Sequence, residues 1–247
     1  MSQESLYSVL KNIPDVQLLD FTHTPLSLQD CKAIGKVLSD FKNIRELVLN
    51  NCSLTTVTAK EIADGLMRAK QLEVLKMLRN QFDVSGIVYN LAFSPKIKMI
   101  DISGNEQCTN SQVVEAFFKL LKISGSIKSL VLSHTGIVKQ LNKDFFIALG
   151  QNKTLEHLYL DNHKLSKFAK ETVTPSVLSG LLKGVAMNKY KNGSLSHLSL
   201  SHSCNNIKTS LDDLFKNLQV SDQDHEYWYG EKKLADEMKL HQLEPKF

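Results

Sequence analysis

The chain has 247 residues, 42% hydrophobic and 23% charged, which excludes a disordered polymer and allows one large domain or two small ones. Eleven glycines and five prolines leave little material for long flexible linkers. A net charge of +4 lacks the concentrated basic excess of a dedicated nucleic-acid binder, and it only weakly favours an acidic partner.

Residues 1–17 contain no basic segment followed by an apolar core, so no secretory signal is expected. Apolar runs such as Phe145–Leu149 are far shorter than a membrane span. Cys31, Cys52, Cys108 and Cys204 are widely spaced and form no CxxC pair, which reads as reduced thiols in a cytoplasmic protein. In that compartment the Asn-x-Ser/Thr triplets at Asn51, Asn152 and Asn192 are chance matches.

Leu6, Val9 and Leu10 suggest the helical half of a repeat over residues 1–12, closed by Pro14. From Val16 onward one template, L-x-x-L-x-L-x-x-N-x-L, recurs seven times. The copies begin at Val16, Ile44, Leu72, Ile97, Ile127, Leu155 and Leu195, with spacings of 28, 28, 25, 30, 28 and 40 residues. Their first, fourth and sixth positions are apolar throughout, as in Ile44-Leu47-Leu49 and Leu155-Leu158-Leu160. Alternation at the fourth and sixth positions is the period of a short strand.

A helical pattern follows each strand. Cys31, Ile34, Val37, Leu38 and Phe41 form the first apolar stripe, which makes Cys31 a small core residue. Thr58-Ala-Lys-Glu61 reads as a capping box opening the second helix, with Ile62, Leu66 and Ala69 on its apolar side. The 25-residue third repeat leaves room only for a short helix around Ser85–Ala92. Val114, Phe117, Phe118 and Leu121 form the stripe of the fourth. The sixth repeat is about 12 residues longer, and its extra basic segment, 164–174, ends at Thr174-Pro175, a cap and first helical residue. The helix after it buries Val177, Leu178, Leu181, Leu182 and Val185, and a basic loop over Asn188–Ser194 returns to the last strand.

Strands alternating with helices must pair in parallel through right-handed crossovers. Strands stack about 4.8 Å apart and helices about 8–10 Å apart. The mismatch bends the stack into an arc with its sheet on the concave side. The ninth template position is Thr24, Cys52, Asn80, Asn105, Thr135, His163 and Ser203 along the chain. Polar side chains there are placed to hydrogen-bond the turn backbone of neighbouring repeats. The domain organisation is therefore a solenoid over 1–219 and a charged cap or tail over 220–247. Tyr227-Trp228-Tyr229 in that tail also suits a docking peptide.

On these residues the chain resembles the leucine-rich repeat family, and repeats of about 28 residues resemble its ribonuclease-inhibitor-like branch. The resemblance covers roughly residues 13–219 and implies an α/β horseshoe that binds macromolecules. The long sixth repeat with its Thr-Pro helix start, within Ile127–Thr209, is similar to the CARMIL family, which implies a cytoskeletal setting. The pleckstrin-homology region and capping-protein-binding tail of that family have no counterpart in this sequence.

No Gly-rich phosphate loop, G-x-S-x-G, H-E-x-x-H or EF-hand loop occurs, so neither catalysis nor a cofactor is expected. His134, His157, His163, His197 and His202 lie near strands five to seven, and His157 and His197 share a template position. Paired in register they suit either a polar surface, a pH-sensitive contact near 6.5 or part of a metal site. A metal needs three or four converging ligands, and no cysteine or carboxylate pair joins them. A GTPase regulator of the Ran GTPase-activating type is the rival reading, with Arg45 or Arg79 as the arginine supplied in trans. That family ends in a strongly acidic segment, whereas this chain ends Glu-Pro-Lys-Phe. Ribonuclease inhibitors are acidic and rich in Cys and Trp, unlike this chain with four Cys and one Trp.

The third and fifth template positions point to the concave face. They run Leu18 and Asp20, Glu46 and Val48, Val74 and Lys76, Met99 and Asp101, Ser129 and Val131, His157 and Tyr159, His197 and Ser199. Val48, Val74, Lys76, Met99, Val131, His157, Tyr159 and His197 form the expected protein-binding set, an apolar middle with a polar rim. β-branched residues also suit strands for their own propensity. The sequence thus reads as a protein–protein interaction module or scaffold, with no small-molecule substrate and no membrane span.

Overall fold

The computed structural model describes residues 8–9, 12–13, 15–105, 108, 110–161, 174–191 and 193–200. Expectations for residues 1–7, for the sixth-repeat segment up to 173, for His163, His202 and Cys204, and for the tail lie outside the described residues.

Seven three-residue strands pair in chain order in one fully parallel sheet. They are β1 Leu18–Asp20, β2 Glu46–Val48, β3 Val74–Lys76, β4 Met99–Asp101, β5 Ser129–Val131, β6 His157–Tyr159 and β7 His197–Ser199. The helices are α1 Leu28–Asp40, α2 Thr56–Leu66, α3 Ser85–Leu91, α4 Ser111–Ile123, α5 Lys143–Gln151 and α6 Pro175–Tyr190, with a 3-10 turn at Ile137–Gln140. Each strand is the third to fifth position of the template. Fourth-position side chains stand in one column, Leu19, Leu47, Leu75, Ile100, Leu130, Leu158 and Leu198, in strict register. The column faces the helices and, apart from the partly buried Leu198 of the last strand, is closed to solvent. Leu49, Met77, Ile102, Leu132, Leu160 and Leu200, at the sixth position, complete this side of the core.

The helix stripes pack as the apolar spacing requires: Cys31, Ile34, Val37 and Leu38 on α1, Val114, Phe117 and Leu121 on α4, and Val177 to Val185 on α6. Helix α3 has only seven residues, matching its short repeat. Two expectations need correction. The capping box of α2 is Thr55/Thr58, not Thr58/Glu61: Thr55 has extended backbone and accepts the Thr58 N–H, and the Thr58 hydroxyl faces the Thr55 N–H in return. Threonine at the third helical position replaces the usual Glu or Gln, which moves the helix start three residues earlier. Helix α6 also runs to Tyr190, so Asn188 is a buried helical residue rather than part of a loop. Its amide donates to the Leu149 and Asn152 carbonyls and its Oδ1 accepts the Leu195 N–H.

Helices α1 and α2 cross with Gly35 against Gly65, and a Cβ on either would strike backbone of the other helix. Burial pushes the Cys31 thiol up to about 11 and the Cys108 thiol up to about 12, which keeps both protonated and structural.

The polar column at the ninth position works as a ladder. Asn80 Oδ1 accepts the N–H groups of Cys52 and Leu54 at 3.0 and 3.1 Å, and its amide donates to the Leu49 and Met77 carbonyls. Asn105 repeats the pattern toward Asn80 and Met77. Cys52 donates its thiol to the Phe21 carbonyl, and Thr135 its hydroxyl to Leu132. At the eighth position the backbone is left-handed in five repeats: His23, Asn51, Arg79, Gly104 and His134 have φ between 53° and 74°. That twist lets each N–H reach the seventh-position carbonyl of the next repeat, from His23 to Asn50 through to His134 to Asp161.

The turns leading from each helix into the next strand, residues 41–45, 67–73, 92–98, 123–128, 152–156 and 190–196, form the opposite rim. They hold nine Lys or Arg against two acids, Glu73 and Glu156. Arg45 and Lys98 both pair with Glu73, at 2.8 and 2.6 Å, and Lys128 pairs with Glu156 at 2.7 Å.

Candidate functional site

The concave sheet carries the side chains that the alternation points away from the helices. Val74, Met99, Ser129, Val131, His157, Tyr159 and His197 are all half-buried, in contact with water yet packed side by side. Val48 is covered to 6% exposure, so it lies beneath this surface instead of contributing to it. Lys76, next to it, pairs with Glu46 at 2.7 Å. Its charge also favours the ionised forms of Asp20 and Asp101.

The two halves of the sheet differ in chemistry. Toward β1 the surface is charged: Asp20, Glu46, Lys76 and Asp101 lie on four adjacent strands. Hydrogen bonds from the Thr22 hydroxyl and N–H hold the Asp20 carboxyl below its ordinary range. Burial pushes the Asp101 carboxyl up, against the lowering effects of the Ser103 N–H and of Lys76.

Toward β7 the surface is aromatic. His157 pairs with His197 across β6 and β7 as the shared template position requires, with ring centroids 6.0 Å apart. Tyr159 completes a triangle: its ring lies 5.0 Å from His197, and parallel to His157 at 6.4 Å. Val131 is the in-register neighbour of Tyr159 on β5. Asp161 and Ser199 close the edge, with the Ser199 hydroxyl donating to Asp161 Oδ1 at 2.5 Å. The histidine pair therefore shares its site with a phenol. Among the described residues no three His, Cys, Asp or Glu side chains converge to hold a metal ion.

Sequence reasoning placed this face correctly in register but missed the tyrosine's part in the histidine cluster. The signal was present, since residues two apart on a strand share a face. The two arginines of the GTPase reading are set apart from the cluster. Arg45 is held by Glu73 on the helix-end rim, and Arg79 occupies a left-handed turn position.

A seven-strand parallel sheet in chain order, helices on its other side and a side-chain hydrogen-bond ladder at the ninth position define a leucine-rich repeat solenoid fold. The chain is similar to Leucine-rich repeat-containing protein 45 of Gallus gallus, 27% identical over 150 residues, which is 60% of this chain and 18% of that protein. The aligned part thus spans about a fifth of the relative's length. No family model matches the chain. Among solved structures it is similar to the tropomodulin C-terminal domain of Caenorhabditis elegans, with a TM-score of 0.42 and 13% identity over 77% of this chain and 95% of that one. It is likewise similar to the leiomodin-1 Actin-Binding Site 2, with a TM-score of 0.41 and 19% identity over 87% and 99%.

Proposed function

We propose that the chain is a non-catalytic protein–protein interaction module whose concave face receives a protein partner. The observation that carries this reading is the Tyr159, His157 and His197 cluster beside Val131. Large rings are held half-exposed on the last two strands of the described sheet, beside Val131 of β5. Aromatic residues placed this way serve as interface anchors, because they bury much area with little rotamer entropy lost. The charged half, with Asp20, Glu46, Lys76 and Asp101, would set orientation.

A cytoplasmic place in a cytoskeletal, ciliary or similar assembly fits the CARMIL-like pattern of the sequence. The proposed domain plan keeps the solenoid over 1–219 and the tail over 220–247. Affinity capture from the native organism with the full chain, compared with a Val131→Asp, Tyr159→Ala double variant, tests the reading. Selective loss of captured partners at unchanged melting temperature supports it, and an identical set of partners from both baits rejects it.

A further inference from the structure

The helix-end rim combines two properties that the core does not need. Its six turns carry an excess of basic residues larger than the +4 net charge of the whole chain, so the remainder of the chain is net negative. At the other rim, residues 21–27, 49–55, 77–84, 102–110 and 132–142 hold two basic residues, Arg79 and Lys139, and two acids, Asp83 and Glu106. Basic residues near helix C-termini complement the helix dipoles, which accounts for part of the asymmetry.

Dipoles do not account for the apolar residues among them. Met67, Phe93 and Ile123 are 47%, 53% and 47% exposed, in three consecutive repeats. They stand five, four and four residues ahead of Leu72, Ile97 and Ile127, the first template positions of the next repeats. A hydrophobic contact at a helix end ordinarily becomes buried against the helix. Phe93 meets the Tyr89 ring of its own helix edge-on at 5.8 Å and still stays half-exposed, and Met67 and Ile123 are left at the surface as well. In a solenoid, equivalent turns lie in one row along the edge of the arc, which sets all three residues on the same rim. Arg68, Lys70 and Lys96 alternate with them and are exposed. Both acids of the rim are already paired.

We propose that this rim is a peripheral docking surface for an anionic lipid bilayer. Phe93, Met67 and Ile123 enter the headgroup layer, and the neighbouring Arg and Lys side chains meet lipid phosphates and carboxylates. Apolar side chains set among basic ones in a row match a flat anionic boundary, which offers both an apolar interior and a negative surface. An acidic polypeptide would use the charges and leave the three apolar side chains in water. No helix among the described residues is long and apolar enough to cross a membrane, so the contact is from one side.

The test is cosedimentation of the full chain with phosphatidylcholine vesicles, with and without about 30 mol% phosphatidylserine. The chain should pellet only with the anionic vesicles and be released in about 0.5 M NaCl. Arg68→Gln, Lys70→Gln, Lys96→Gln together should weaken partitioning about a hundredfold, at about fivefold per charge. Phe93→Ser should weaken it about tenfold, and Tyr159→Ala should leave it unchanged. Because all four altered positions on the rim are exposed, melting temperatures should not move. Three results would each overturn the proposal: no sedimentation of the unaltered chain, equal sedimentation without phosphatidylserine, or rim variants that sediment like the parent. Capture by polyglutamate that Phe93→Ser leaves untouched, without vesicle binding, would assign the rim to an acidic protein instead.

Discussion

The backbone N–H of Asn80 donates to Oδ1 of Asn105 at 3.1 Å, and the side chain of Asn80 makes the same kind of contact with the repeat before it. Successive repeats are thus tied by a side chain that copies a backbone hydrogen-bonding unit. Both residues are almost fully buried, so each bond is made where water cannot replace it.

Asn80→Ala strands the Cys52 and Leu54 N–H groups in the core. Leaving two buried donors unpaired should cost about 3 kcal/mol, read as a lower urea midpoint. Thr24, the exposed member of the same column, provides the internal control. Thr24→Ala should cost under about 0.5 kcal/mol. Equal costs at the two positions would contradict the ladder.

The second prediction concerns Arg79, at φ 53° in the turn column that also holds Gly104 at φ 74°. Non-glycine residues pay about 1–2 kcal/mol for this conformation. Arg79→Gly should therefore stabilise the fold by about 0.5–1 kcal/mol, after the entropy that glycine adds to the unfolded chain. A GTPase-stimulating arginine at this position would instead show as activity abolished by the substitution, so one variant measures both.

Much of this architecture was legible because burial imposes simple spacings. Apolar residues at the first, fourth and sixth positions gave the strands, their faces and the register that joins His157 to His197. The left-handed column carried only a scattered signal: His23, Asn51, Gly104 and His134 are types enriched at positive φ, whereas Arg79 in the same column is not. Asn152 and Asn188 were hidden for a different reason. Their roles, clamping the ends of helices to the Leu121, Leu149 and Asn152 carbonyls, depend on contacts 31 to 39 residues away. The α2 start was misread because a threonine does the work ordinarily assigned to Glu.

Gly35 and Gly65 are thirty residues apart and were similarly silent until the helices were brought together. Either Cβ would meet the other helix's backbone, which has no rotamer to change. Gly65→Ala should destabilise by about 1–3 kcal/mol by prying α1 from α2. Gly86→Ala, with nothing near its Cβ, should be neutral or stabilising within the exposed side of α3. Thermal melts of the pair provide the comparison.

Asp101 links stability to pH. Burial raises its carboxyl pKa in the folded state, so the folded chain holds that proton more tightly than the unfolded chain. The resulting stabilisation is complete below the unfolded carboxylate's pKa and is lost as pH rises through the raised folded value. At pH 7 the ionised group is therefore a cost that an amide avoids, while the Ser103 N–H keeps an oxygen to bond. Asp101→Asn should raise the melting temperature at pH 7 by about 2 °C. The difference should shrink as pH falls through the carboxylate range. A gap that widens in acid would reverse the assignment.

Tyr159 and Leu160 are neighbours in sequence that face opposite ways, and they separate fold from function. Leu160 is fully buried against the helices, beneath a backbone whose N–H donates to Ser199. Leu160→Asp places an unpaired charge in the core and should unfold its part of the solenoid, at a cost above about 4 kcal/mol. Tyr159 rests among His157, His197 and Val131 on the concave side, half-exposed. Tyr159→Asp should leave the far-ultraviolet circular dichroism intact and lower the melting temperature by no more than about 3 °C. With a purified partner it should weaken binding at least tenfold, as the loss of an aromatic anchor at the centre of an interface does. Calorimetric titration of the partner into both the parent and Tyr159→Asp chains decides the matter. If Tyr159→Asp binds with parental affinity, the concave aromatic cluster is a device for packing β6 against β7, and the interface lies elsewhere on the solenoid.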